Sequence, residues 1–135
     1  MTLGAIKILF ENIKENEDRK EIFSHYDIKS LETFTNYLEV LRILRNNCAH
    51  GGVIFDFNLP TSIKKKGPMG TFTDKERHNI SGITRIIDHF LKYTHMGAFS
   101  NLRSEIQDLI LKYNDKKEVT NVIIQCTGID TNGIK

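Results

Sequence analysis

The chain has 135 residues, is 39% hydrophobic and 27% charged, and sets 19 Lys and Arg against 17 Asp and Glu for a formal net charge of +2. That size suits one domain, residues 1–135, able to bury a core without staples, and the mix excludes a disordered chain and a polycationic nucleic-acid tail, though not a local basic patch. No apolar run approaches the roughly 20 residues of a membrane helix, the opening Met1-Thr2-Leu3-Gly4 lacks the order of a secretory signal, and Cys48 and Cys126 give neither a disulfide framework nor a metal spacing, so the expectation is a cytoplasmic protein with no membrane contact, no metal and no cofactor.

Helical periodicity runs through the chain. Leu3, Ile6, Phe10 and Ile13 recur at steps of three and four, with Thr2 as N-cap. The charged stretch from Lys14 to Glu21 reads as a solvated helix end and connection, before a short second helix around Ile22, Phe23 and Tyr26. From Ser30 the longest helix carries Leu31, Phe34, Leu38 and Leu41 on one stripe, which continues to Arg45 and Cys48. Gly51-Gly52 stops it, because glycine adopts the left-handed backbone of a helix end. Residues 51–73 form a long connection with a small hairpin or an apolar strand within it. Thr73-Asp74-Lys75-Glu76 matches a capping box, and behind it Ile80, Ile83, Ile87, Phe90 and Thr94 share a face. After Gly97, Ser100 can cap a helix faced by Phe99, Leu102, Ile106, Leu109 and Tyr113. The apolar tail, about 119–126, is β-branched and predicts a strand or a docked segment. The fold class predicted is all-α: a helical bundle of four main helices with one long loop insertion.

The chemistry concentrates in Arg45-Asn46-Asn47-Cys48-Ala49-His50, followed by Gly51-Gly52. Arg45 interrupts an apolar stripe, so it must pair internally or face a crevice. Asn46 and His50, four apart, share the last helical turn. Arg42 lies one turn earlier. A guanidinium matches phosphate oxygens at two points and stays charged, and an imidazole exchanges a proton near neutral pH. The set suits metal-independent cleavage of RNA through its 2′-OH, with DNA inert. Two plainer readings stand beside it: Arg45 pairing with a carboxylate inside the bundle, and His50 as a cation favoured by the helix dipole. Arg19 and His25 fit the same loose spacing and read as solvated surface.

At Arg45-Asn46-x-x-Ala49-His50, ending a long bundle helix, the sequence resembles the HEPN domains, and more closely the abortive-infection (Abi) branch of bacterial phage-defence proteins. The opening Leu3-Gly4-Ala5-Ile6 is similar to the start of that branch's C-terminal domain. The resemblance implies catalytic roles for Arg45 and His50, a supporting role for Asn46, and a homodimer whose two motifs share one cleft. It implies an endoribonuclease acting in phage defence or as a toxin, with RNA as partner and scope for an antitoxin or regulatory partner. Catalytically silent members of the family also exist, so an RNA- or protein-binding module is the alternative, and a plain helical interaction domain with a structural Arg45 is a third reading. Abi proteins usually carry a further N-terminal helical region, which makes this chain a fragment or a short stand-alone member. Gly51-Gly52 stands where relatives often have another histidine or an aromatic.

Arg42 and the run Lys64-Lys65-Lys66 are candidate RNA-phosphate contacts, with Phe55, Phe57 or Phe72 available for base stacking. A solvated lysine loop is the plainer reading of the run. His78, His89 and His95 lack helical metal-ligand spacing and read as surface or boundary residues. Cys48 reads as a small buried apolar group, and Asp130-Thr131-Asn132-Gly133 as a frayed turn.

Overall fold

A computed structural model describes residues 2–94 and 102–129. Among them run six helices and one two-residue hairpin: α1 Leu3–Glu11, α2 Asn16–His25, α3 Leu31–Ala49, β1 Lys66–Gly67, β2 Gly70–Thr71, α4 Ile80–Leu91, α5 Leu102–Lys112 and α6 Lys117–Thr127. The fold is all-α, as predicted. His95, Ser100, Phe99 and the Asp130–Gly133 turn lie outside the described residues.

The long helix organises the rest. α3 packs against α1, α2 and α4, and α4 against α5. Two of the expected N-caps form as predicted: Thr2 Oγ1 accepts from the Ala5 amide at 3.2 Å and Ser30 Oγ from the Thr33 amide at 3.4 Å. α1 runs antiparallel to α3, with Phe10 on Phe34 at 4.8 Å, Lys7 on Glu39 at 3.3 Å, and Gly4 against Arg42. At that register α1 starts level with Arg42, so the last two turns of α3 run past it.

Four expectations are corrected. The charged stretch before Ile22 is itself helical, in α2; only Phe23 of that helix is buried, so its sequence carries little apolar periodicity. The capping box at Thr73 does form, with the Glu76 carboxylate accepting from the Thr73 amide at 2.9 Å. It closes a turn, however, and α4 starts only at Ile80, behind an Asn79 cap whose side chain accepts from the Gly82 amide at 3.3 Å. Among the described side chains of α5 the buried position is Ile110, while Leu109 faces out, as does Tyr113 just past the helix. The β-branched tail is helix α6, not a strand.

The insertion between α3 and α4 is part of the core. Leu59, Ile63 and Phe72 are buried. The Asn36 side chain stands in for a backbone strand, donating to the Ser62 carbonyl at 3.0 Å and accepting from the Lys64 amide at 2.9 Å. The hairpin β1–β2 pairs antiparallel, with Gly67 pressed against the Tyr37 hydroxyl. No helix among the described residues is long and apolar enough to cross a membrane.

Candidate functional site

The end of α3 is closed by a two-bond cap. The Gly52 amide donates to the Asn47 carbonyl at 2.8 Å and the Gly51 amide to the Cys48 carbonyl at 3.1 Å. This arrangement needs a left-handed residue just past the helix, and Gly51 supplies it at φ 71°. Gly52 packs so close to the Asn47 amide that a Cβ there would lie 2.2 Å from Asn47 Oδ1. Asn47 Nδ2 also reaches the Val53 carbonyl at 3.5 Å. Asn47 carries no signature of its own in the motif; its one signal in the sequence is an amide side chain five residues before a glycine.

This cap fixes where the motif residues stand. His50 is the C-cap itself, its backbone amide donating to the Asn46 carbonyl at 3.1 Å. Its ring is exposed and makes no hydrogen bond among the described residues. Arg45 is exposed too, and its Nη1 donates to Asn46 Oδ1 at 3.3 Å. No carboxylate pairs with Arg45 among the described residues. The expectation of an internal partner or a crevice is corrected: the α3 stripe is buried at Phe34 and Leu38, half-buried at Leu41, and exposed at Arg45 and Cys48. The stripe emerges past the start of α1, so water solvates the cation at no burial cost. Cys48 is likewise at the surface, not in the core. One helix end therefore presents an uncompensated guanidinium, an amide that orients it, and a free imidazole.

Residues 1–56 match the family model described as Abi-like protein. No curated protein and no solved structure matches the chain. The Abi-like stretch takes in α1, α2, α3 and the whole run from Arg45 to Gly52.

Arg42 lies within the Abi-like stretch but is already committed. Its Nε and Nη2 fork onto Glu39 at 3.0 and 2.6 Å, and Glu39 also takes Lys7. The hydrogen bond from Arg42, with help from Lys7 and against burial, holds the Glu39 carboxyl below its usual range. This cluster braces α1 on α3.

The remaining candidates lie beyond the Abi-like stretch, apart from Phe55. Lys64 pairs with Glu32, and Lys65 with Asp74 at 3.7 Å; Lys66 has no ion pair among the described residues. The Lys64 contact falls at the opposite end of α3: from Glu32 to His50 is 18 residues, about 27 Å of helix. The structure therefore does not bring the basic run to the motif. Of the three aromatics, Phe72 is buried beneath the Arg85 guanidinium at 4.2 Å and cannot stack a base. Phe57 packs on the core, and Phe55 alone is exposed, at 41%.

Two histidines complete the inventory. His89, expected at the surface or a boundary, is buried, with Nε2 2.6 Å from the Tyr26 carbonyl. Burial pushes its imidazole below the usual value, against the pull of that carbonyl. His78 is half-buried near the Leu59 carbonyl. The groove between α1, α2 and α3, about 470 Å³, is lined by hydrocarbon from Leu3, Ile6, Phe10, Leu38 and their neighbours. Tyr26 is the only lining residue with a polar side chain, so this groove offers no acid–base chemistry.

Proposed function

We propose that this protein is a metal-independent endoribonuclease of the HEPN type, working in abortive infection or as a toxin. One observation carries the reading: Arg45, unpaired by any carboxylate and oriented by Asn46, stands with the free His50 imidazole at one capped helix end. A protein that needed Arg45 for its own stability would have neutralised it. The Abi-like match over residues 1–56 supports the defence setting.

In this reading the guanidinium grips a phosphodiester through two nitrogens. His50 takes the proton from the ribose 2′-OH. The 2′-oxygen attacks phosphorus, the 5′-oxygen leaves with a proton, and a 2′,3′-cyclic phosphate and a 5′-OH remain. Arg45 stabilises the charge that builds on the phosphoryl oxygens. One helix end supplies one imidazole, whereas the reaction has a proton to take and another to give. A homodimer that faces two such ends across a groove supplies both. Lys64, Lys65 and Lys66 hold RNA phosphates further along the same molecule, since surface ion pairs such as those of Lys64 and Lys65 are weak and easily given up.

The test compares single-stranded RNA with DNA of the same sequence, in EDTA. RNA cut to 2′,3′-cyclic phosphate ends with DNA intact is the expected result. RNA bound but never cut selects the silent binding module. Cleavage that stops in EDTA and returns with magnesium overturns the mechanism.

A further inference from the structure

Beside the motif lies a small recess lined by Phe55, Glu118, Val119, Val122 and Ile123. It joins the segment that leaves α3 to the first turns of α6, with Phe55 and Glu118 63 residues apart in the chain. Phe55 is 41% exposed, Val119 53% and Val122 49%. An exposed aromatic facing two exposed valines is apolar surface left uncovered. Glu118 at the rim has no partner among the described residues.

The recess is tied to the motif by the cap. The Asn47 carbonyl and amide hold Gly52 and Val53 beside the last turn of α3. Phe55 follows two residues later, at most about 7 Å of extended chain. A strand whose phosphate sits on Arg45 therefore has a neighbouring base within reach of Phe55.

We propose that this recess binds one unpaired nucleobase of the RNA substrate: the base stacks on Phe55 against Val119 and Val122, and its amino group donates to the Glu118 carboxylate. The proposal rests on the RNA-cleaving reading and gives that site a base preference. A flat apolar slot with one acceptor at its edge matches the face and the hydrogen-bonding edge of a base. Adenine, cytosine and guanine carry an exocyclic amine, whereas uracil's one edge donor, N3–H, lies between two carbonyls that repel a carboxylate, so the slot disfavours uracil. Five side chains are far fewer than the 20–30 or so that a stable dimer uses on each side, which argues against a second copy as the occupant here. A carboxylate placed to meet a base edge does not meet the phosphate, which Arg45 holds.

The experiment measures binding of uncleavable 2′-O-methyl homopolymers of each base to the full chain, by fluorescence anisotropy. Wild type should bind the three amine-bearing polymers more tightly than the uracil polymer. Phe55→Ala should weaken binding about tenfold, the order expected for one lost stacking contact, and Phe55→Trp should restore it. Glu118→Ala should erase the preference against uracil with little change for the uracil polymer. Wild-type affinity and preference in Phe55→Ala, in a protein that still cleaves RNA, would overturn the recess and leave the nuclease standing. Failure of wild type to bind RNA at all would remove both. If Phe55→Ala instead dissociates a dimer by light scattering, with affinity per site unchanged, the surface belongs to a second copy and the proposal is wrong.

Discussion

Arg45 and Arg85 are both arginines on helices of this domain, and they should respond oppositely to alanine. Arg85 is built in: its Nη1 meets Glu76 at 3.1 Å, its Nη2 the Met69 carbonyl at 2.6 Å, and its guanidinium covers Phe72 at 4.2 Å. The side chains of the ion pair are only 19% and 16% exposed. Removing one partner of a fully buried pair costs about 3–5 kcal/mol. Glu76 keeps its bonds to Thr73, which lowers the expected cost to about 2–4 kcal/mol. Arg45 has one neutral contact at 3.3 Å and is exposed, so Arg45→Ala should stay within about 0.5 kcal/mol of wild type. Urea unfolding followed by circular dichroism reads both, with the midpoint moving and the slope constant. A loss above about 1 kcal/mol for Arg45→Ala would make Arg45 structural and refute the reasoning that leaves it free for a ligand. A silent Arg85→Ala would refute the energetic comparison itself.

Tyr37 is fully buried, its hydroxyl lacks a partner among the described residues, and burial pushes its pKa up to about 12; Tyr37→Phe should raise stability by about 1 kcal/mol in urea unfolding, since an orphaned polar group costs about that much. Gly82→Ala should destabilise, against its helix propensity, because a Cβ would sit 1.9 Å from the Glu76 carbonyl oxygen; a gain in thermal midpoint would contradict the packing. His89 titrates below the ordinary imidazole value of 6.5 because burial favours the neutral ring. The unfolded chain therefore takes up a proton that the native state resists, so stability is full above pH 6.5 and falls as pH drops below it. His89→Gln should flatten that slope in pH-dependent urea titrations, while Glu39 and Glu76, held below 4.5, add their losses only under stronger acid.

What the sequence revealed follows the reach of each signal. The helices α1 and α3 were legible because cap and stripe agree, as Thr2 with Phe10 and Ser30 with Phe34 and Leu38 do. α2 was hidden because Phe23 is its only buried residue. α6 was hidden because Val119, Val122, Ile123 and Ile124 favour strands locally while tertiary packing made a helix. Thr73 and Glu76 satisfied a local rule without starting a helix, which the Asn79 cap did instead. Arg45 and His50 stood out from residue chemistry and from the resemblance. Their exposure did not, because a periodic stripe carries no record of where α1 stops covering it. The recess of Phe55 and Glu118 depends on two distant segments meeting, which no local pattern encodes. The burial of Phe72 beneath Arg85 has the same origin.

The central claim is that His50 moves the proton that starts RNA cleavage, and one comparison tests it most directly. Wild type, His50→Ala and His25→Ala are incubated with single-stranded RNA in EDTA, and products are read by mass spectrometry. His50 is exposed and its imidazole bonds to nothing among the described residues, so its alanine variant should fold and assemble as wild type does. Loss of one acid–base group should slow cleavage by about 10²–10⁴-fold, while His25→Ala, with the same loose spacing to an arginine, should cut normally and leave 2′,3′-cyclic phosphate ends. Wild-type cleavage by a folded His50→Ala protein would contradict the account.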